Sequence, residues 1–157
     1  MLIRALFSFL MLPGVIAFLI PITFVYYAGI RDFQWAGTLV VLSGIWLLVW
    51  CVRDFYKAGK GTLAPWEPPQ KMVVVGLYRY VRNPMYVGVL ILVTGWSILF
   101  HSLILLVYTG ILFSAFHISI LTYEEPWLYQ MFGEEWLSYK CRVPRWIPHL
   151  AGKKMVN

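Results

Sequence analysis

Four apolar runs occupy most of this chain, and their lengths constrain the fold more than any other feature. The runs cover residues 5–29, 35–52, 85–100 and 103–121. A helix rises about 1.5 Å per residue, so about 20 apolar residues cross the hydrocarbon core of a bilayer. With 61% hydrophobic and only 13% charged residues, the chain has too little polar surface to fold in water. The sequence therefore predicts an all-α integral membrane bundle of about four transmembrane helices.

The first run contains prolines at positions 13 and 21. A proline removes a backbone hydrogen bond and bends a helix, so a kinked first span is expected. A cleaved signal peptide beginning near Arg4 is the alternative. No small-x-small cleavage site follows a short apolar core, which favours the uncleaved helix.

The longest polar segment is rich in basic residues, glycine and proline, and it covers residues 53–82. These residues predict a loop, and loops of this length are often functional. We expect a single membrane domain over residues 1–157. Its parts are two N-terminal spans (1–52), a cytoplasmic loop (53–82) and a cofactor-binding catalytic part (83–148).

Only His101-Ser102 separates the third apolar run from the fourth, which predicts a tight antiparallel hairpin. The start of the third helix and the end of the fourth then lie side by side. Asn83 and Glu124 are therefore expected in the same region, with His101 at the opposite end. Three glycines are expected to allow close helix packing, namely Gly88, Gly95 and Gly110.

The basic residues predict the orientation of the bundle. If residues 53–82 face the cytoplasm, twelve of the thirteen lysines and arginines lie on that side, with Arg31 as the exception. Both termini and the active site are then cytoplasmic. Topology and anionic lipid headgroups explain the net charge of +6 better than nucleic acid does. Cys51 and Cys141 are expected to be reduced thiols without a disulfide or a metal.

The segment after the fourth run begins with Glu124-Glu125-Pro126. Because proline disfavours a helical residue before it, Pro126 predicts a non-helical Glu125 at a break or at a fresh helix start. Apolar residues at helical spacing then predict a C-terminal amphipathic helix at the inner membrane interface. These residues are Leu128, Met131, Phe132, Trp136 and Tyr139.

The stretch from Gly76 to Gly88 carries residues suited to chemistry. Pro84 fits the first position of a helix, and Asn83 before it is a favourable N-cap whose side-chain oxygen can accept from first-turn amides. Free amides beside Arg79 and Arg82 favour an anion. The alternative is that Asn83-Pro84 only begins a membrane helix and the arginines only fix its orientation.

The same stretch resembles a known signature. Arg82-Asn83-Pro84-Met85-Tyr86, followed about forty residues later by Glu124-Glu125, resembles the Arg-His-Pro-x-Tyr … Glu-Glu pattern of the isoprenylcysteine carboxyl methyltransferase family. The resemblance extends over about residues 70–148. It includes the C-terminal segments Phe132-Gly133-Glu134-Glu135, Tyr139-Lys140 and Val143-Pro144.

The resemblance implies an integral membrane enzyme that uses S-adenosylmethionine. In the family, the histidine falls where this chain has Asn83, and asparagine cannot act as a base near neutral pH. Ile120 stands where the family has an arginine that meets the substrate carboxylate, which leaves the acceptor open. The implied cofactor pocket comprises Gln70, Lys71, Met72, Val73, Tyr78, Arg82, Asn83, Pro84, Met85, Tyr86 and Glu124.

Two further ionisable residues are candidate catalytic groups. An amine acceptor would have to lose a proton, and Glu125 or His117 could take it. The structural alternatives are a solvated glutamate at a helix end and a packed, hydrogen-bonded histidine.

The sequence thus predicts an S-adenosylmethionine-dependent methyltransferase whose acceptor is lipophilic, an isoprenylcysteine-type carboxylate or a similar molecule. The alternatives are a phospholipid amine N-methyltransferase and a non-catalytic membrane scaffold or lipid-binding protein. The expected partners are a lipophilic small-molecule or lipid substrate and membrane lipids, with no nucleic acid and no obligatory protein partner.

Overall fold

The computed structural model describes residues 10–59, 72 and 74–148, and over these residues it contains helices and connections but no strand. The all-α prediction is therefore confirmed for the described part of the chain. A π-type helix, Leu10–Leu19, precedes α1. The other elements are α1 (Ile20–Tyr27), α2 (Trp35–Gly59), a 3₁₀ turn (Gly76–Arg79), α3 (Pro84–Leu99), α4 (Leu103–Ser119), a π turn (Ile120–Glu124), α5 (Glu125–Phe132) and α6 (Glu134–Arg142).

Two of the described helices are long and apolar enough to cross a membrane. They are Trp35–Asp54, within α2, and the continuous helix Leu103–Phe132. Gly14–Tyr27 and Pro84–Leu99 are shorter apolar helices. The helix Leu103–Phe132 contains 30 residues. Such a helix is about 45 Å long, which is more than the thickness of about 30 Å of a bilayer hydrocarbon core.

Close packing of α2 against α3 forms the centre of the bundle, and small residues make it possible. A Cβ atom at Gly95 would lie 2.7 Å from the backbone nitrogen of Val41, and one at Gly88 would lie 2.9 Å from a Leu47 methyl. Both glycines therefore act as predicted. Gly110 does not, because a Cβ there would meet no atom within 4 Å. This part of the prediction was wrong: Gly110 is exposed on α4.

The predicted hairpin between the third and fourth runs is confirmed. α3 ends at Leu99 and α4 begins at Leu103 after a turn in which His101 has a φ of 45°. The Leu99 carbonyl accepts from the backbone N–H of Gln34 at 2.9 Å, which ties the start of α2 to the same end of the bundle. The end of α2, the start of α3 and the end of α4 therefore meet at the opposite end.

The predicted loop over residues 53–82 begins later than expected. α2 continues through Arg53 to Gly59. Polar residues do not end a helix by themselves, and the first proline after this helix is Pro65, so nothing in 53–59 removes a backbone donor.

The chain remains helical through Glu125, so the predicted non-helical conformation there was wrong. Glu125 has φ −64° and ψ −43°. Its N–H bonds to the carbonyl of Ile120, five residues earlier, in the π turn that joins α4 to α5. Pro126 lies in the first turn of α5, where its missing N–H is tolerated. The wider π turn accommodates this proline without breaking the helix, and a new α-helix does begin at Glu125.

The predicted single amphipathic helix after Pro126 is two helices. Gly133 separates α5 from α6 with φ 50° and ψ −123°, a conformation that side-chain-bearing residues rarely adopt. Trp136 and Tyr139 of α6 are buried with Val143, so these side chains face the protein itself. Met131 is 51% exposed and remains outside this cluster.

We predict that Gly95→Ala destabilises the bundle and that Gly110→Ala does not. The first substitution forces α2 and α3 apart and should cost about 1–3 kcal/mol. The second places a methyl group in open space on a helix, where alanine is favoured by about 0.5–1 kcal/mol. Melting temperatures of the two detergent-purified variants test this, and equal values would contradict the assigned packing.

Candidate functional site

Tyr86 and Glu124 meet at the end of the bundle where α2 ends, α3 begins and α4 ends. Tyr86 lies in the first turns of α3, and its hydroxyl donates to Glu124 Oε1. Ser119 Oγ donates to the same oxygen at 3.4 Å. The Tyr86 ring stacks on Phe116 of α4, with 4.4 Å between centroids and 18° between planes. The predicted proximity of these two helix ends is therefore confirmed.

Glu125 is the centre of a cluster of three cations. Its Oε1 accepts from Arg82 Nη1 at 2.8 Å and from Arg145 Nη2 at 2.7 Å, and its Oε2 lies 3.0 Å from Lys140 Nζ. The Glu125 residue is only 7% exposed. A buried carboxylate is stable when opposite charges and hydrogen bonds compensate its lost hydration, as they do here. The geometry favours a positioning role for Glu125, and its predicted catalytic role stays a prediction.

Arg82 is held on several sides. Burial lowers the pKa of its guanidinium, whereas the neighbouring Glu125 carboxylate opposes that shift. The guanidinium carbon lies 5.8 Å from the ring centroid of Trp136, within cation–π range. Its backbone N–H donates to the Pro144 carbonyl at 2.8 Å. Arg82 Nε is buried and has no hydrogen-bond partner, so one donor of this side chain remains available to an anion.

Asn83 occupies the predicted N-cap position of α3, but its side chain does not cap the helix. Its Nδ2 donates to the Arg145 carbonyl at 3.5 Å instead. This corrects the expected capping bond: the side chain bonds to the tail, and its oxygen accepts from no first-turn amide, although the Asn83 backbone carbonyl accepts from the Val87 N–H. Pro84 is buried at the start of the helix as predicted, and Met85 packs against the hydrophobic core.

Tyr78 links the 3₁₀ turn to the C-terminal helix. Its carbonyl accepts from the Tyr139 hydroxyl at 2.7 Å. Burial raises the pKa of the Tyr78 phenol, and the nearby groups Cys51, Tyr139, Asp54 and Tyr86 raise it further. Met72 packs against the buried cluster of α6. The predicted pocket residues Gln70, Lys71 and Val73 lie outside the described residues.

His117 is hydrogen-bonded within an aromatic group rather than to the Tyr86–Glu124 pair. The Trp146 indole N–H donates to His117 Nδ1 at 3.2 Å. Phe113 stacks on the imidazole, with 6.0 Å between centroids. Because Nδ1 accepts this bond, the neutral ring carries its proton on Nε2 and is a donor there. A role as proton acceptor stays a prediction that this bond does not favour. His101 lies at the opposite end, as expected.

Three residues of the site were not identified from the sequence. No role in the site was predicted for Lys140, Arg145 or Trp146, yet they contact Glu125 and His117. The excess of cations in the segment after Glu124-Glu125 was a signal that could have indicated Lys140 and Arg145. No periodicity indicated that the tail returns to α4.

The arrangement can hold a ligand that carries one positively charged and one negatively charged group. Glu124 and Tyr86 offer an acceptor and a phenol, Arg82 offers an unused donor, and aromatic rings line the same end of the bundle. Such a site suits a cationic, partly apolar molecule that also bears an anionic group.

Comparison with known proteins gives a consistent result. A family profile described as phospholipid methyltransferase matches residues 33–135. The chain is 26% identical over 155 residues to protein-S-isoprenylcysteine O-methyltransferase B of Arabidopsis thaliana, covering 94% of this chain and 76% of the plant protein. It is 33% identical over 140 residues to protein-S-isoprenylcysteine O-methyltransferase of Rattus norvegicus, covering 83% of this chain and 48% of the rat protein. The chain thus spans less than half of the rat protein.

We predict that Glu125→Gln destabilises the protein strongly. The neutral amide leaves Arg82 and Arg145 without their counter-charge in a buried setting, which costs about 3–5 kcal/mol. For a chain of this size that corresponds to a melting temperature lower by about 6 °C or more. Glu134→Gln, which alters an exposed carboxylate on α6, is the matched control. Equal melting temperatures for the two detergent-purified variants would show that the cluster is not structural.

Proposed function

The chain belongs to the phospholipid methyltransferase family, and from that membership we propose that it transfers a methyl group from S-adenosylmethionine to a lipophilic acceptor. The observation that carries this proposal is the bond between Tyr86 and Glu124. It joins the two motifs by which the sequence resembles isoprenylcysteine carboxyl methyltransferases. The relatives named protein-S-isoprenylcysteine O-methyltransferase support the same reaction class.

The residues present fit this cofactor. Glu124 can accept from the ribose hydroxyls, and the tyrosine faces can attract the sulfonium. The unused Arg82 Nε and the amides at the start of α3 can bind its carboxylate. When bound, S-adenosylmethionine supplies a methyl group on a positively charged sulfur, which a nucleophile takes by in-line displacement.

The protein contributes position and a water-poor site. Tyr86 is held by Phe116 on its face and Glu124 at its hydroxyl, so its ring is fixed before any ligand arrives. The Glu125 cluster fixes Arg82 on the same short segment. Fixed groups of this kind lower the entropy lost when two reactants are aligned.

The acceptor that this geometry supports best is a carboxylate. An amine must lose a proton before it attacks, whereas a carboxylate needs no base. Glu125 is neutralised by three cations, Glu124 is bonded to Tyr86, and His117 Nδ1 is bonded to Trp146. Because the proposal also assigns Glu124 to the ribose hydroxyls, each of these three residues is committed to another partner and none is left as a base. An isoprenylcysteine-type acid is therefore the proposed acceptor class.

A phospholipid amine is the second candidate, and the description of the family profile favours it. The non-catalytic scaffold predicted as a further alternative has no observation of its own in its favour. For either acceptor we place the protein in the membrane with four spans, both termini and the site at the cytoplasmic face. The two candidate membrane helices and the basic residues support this arrangement.

We predict that the detergent-purified protein binds S-adenosylhomocysteine and that Tyr86→Phe and Glu124→Gln each weaken binding at least about tenfold, or ~1.4 kcal/mol. Each change removes one partner of the bond that orients the site. Isothermal titration calorimetry measures the affinities, with Glu134→Gln as the control. A folded parent that binds no cofactor analogue would refute the methyltransferase proposal.

We predict further that N-acetyl-S-farnesylcysteine accepts labelled methyl from S-adenosylmethionine and that phosphatidylethanolamine does not. The reason is the lack of a free base among Glu124, Glu125 and His117. Thin-layer separation of the labelled products distinguishes a base-labile methyl ester from a methylated amine. If the methyl group is transferred only to phosphatidylethanolamine, the acceptor is a phospholipid amine and not an isoprenylcysteine-type acid.

A further inference from the structure

A carboxylate outside the motifs above lies at the same end of the bundle without a partner. Asp54 is the last residue of the candidate span Trp35–Asp54. Its Oδ2 is buried and accepts no hydrogen bond. A buried carboxylate oxygen without a donor is costly, and such groups in native structures usually serve a ligand or a strained site.

The Asp54 side chain is directed at the 3₁₀ turn. A Cβ atom on Gly76 would overlap Asp54 Oδ2, and it would lie 3.5 Å from Trp50 Nε1. Gly76 also has a φ of 54°, which L side chains rarely adopt. The turn therefore approaches Asp54 closely because residue 76 has no side chain, and among the described residues no cation pairs with this carboxylate.

The two glutamates of the acidic pair at this end of the bundle both have partners among the described residues. Every salt bridge between described residues belongs to Glu125, and Glu124 accepts from Tyr86 and Ser119. Among the carboxylates of this region that the structure describes, Asp54 alone has a buried oxygen with no donor. It is therefore the group that an incoming cation or donor would satisfy.

Tyr78 connects Asp54 with the site. The phenol lies close enough to both Asp54 and Tyr86 for each to contribute to its raised pKa, after the larger effect of burial. Tyr78 is two residues from Gly76, on the turn that faces Asp54. The turn that Asp54 Oδ2 approaches is followed closely in the chain by Arg82 and Asn83 at the start of α3, so the carboxylate and the groups proposed to hold the cofactor lie along one short segment.

We propose that Asp54 is a cofactor-binding residue and that its free carboxylate oxygen accepts the α-ammonium group of the bound S-adenosylmethionine. The inference rests on the proposed function and adds a position outside the recognised motifs. The α-ammonium is the nitrogen of that molecule that carries a positive charge near neutral pH. It supplies both the positive charge and the donors that Asp54 lacks.

The test compares two ligands on two proteins. S-adenosylhomocysteine carries the α-ammonium, and 5′-methylthioadenosine lacks the whole amino-acid part. We expect Asp54→Asn to lower the affinity for S-adenosylhomocysteine at least about tenfold. The same variant should bind 5′-methylthioadenosine with the affinity of the parent. Calorimetry gives the affinities, and Glu134→Gln provides a control with the same loss of charge at an exposed site.

The alternatives give different patterns. If the parent and Asp54→Asn bind S-adenosylhomocysteine with equal affinity, the proposal is overturned. A loss of amine turnover in that variant would then assign Asp54 the role of a base. An equal loss for both ligands assigns Asp54 to the structure of the turn and also overturns it. A parent that binds neither ligand refutes the methyltransferase function itself. Asp54→Ala repeats the comparison should the asparagine variant fold poorly.

Discussion

The buried charge of Glu125 is the interaction on which the rest of the site depends. One carboxylate binds Arg82 before α3, Lys140 in α6 and Arg145 in the tail, so three separate segments converge on the helix Leu103–Phe132. Because the buried Arg82 would lose its counter-charge without it, the carboxylate stabilises the packing of these segments. The Tyr86–Glu124 pair next to Glu125 is held in a fixed position as a result.

The π turn before Glu125 explains how two adjacent glutamates serve different purposes. Successive residues of a helix point about 100° apart. Glu124 therefore bonds to Tyr86 inside the bundle, while Glu125 faces the cations. Single π turns inside α-helices are frequent at functional sites, and here the turn also accommodates Pro126. The π turn thus ends at Glu124, the residue that bonds to Tyr86.

Apolar run lengths predicted the helices, and the two-residue break at His101-Ser102 predicted the hairpin that joins Tyr86 to Glu124. These features depend on local patterns, which sequence records directly. The aromatic contact of Trp146 with His117 and the return of the tail over Asn83 depend on distant segments, so no spacing revealed them. Gly110 was misassigned because a small residue permits close packing without showing whether a neighbour is present.

The tail that crosses the site has a consequence for biosynthesis. Pro144, Arg145 and Trp146 supply partners to Arg82, Glu125 and His117. A ribosome makes these three residues after every helix of the bundle, and chains fold from the N-terminal side as they emerge. The helices are thus made before the tail that completes these contacts, and a nascent chain stalled before residue 144 lacks the partners that Pro144, Arg145 and Trp146 supply.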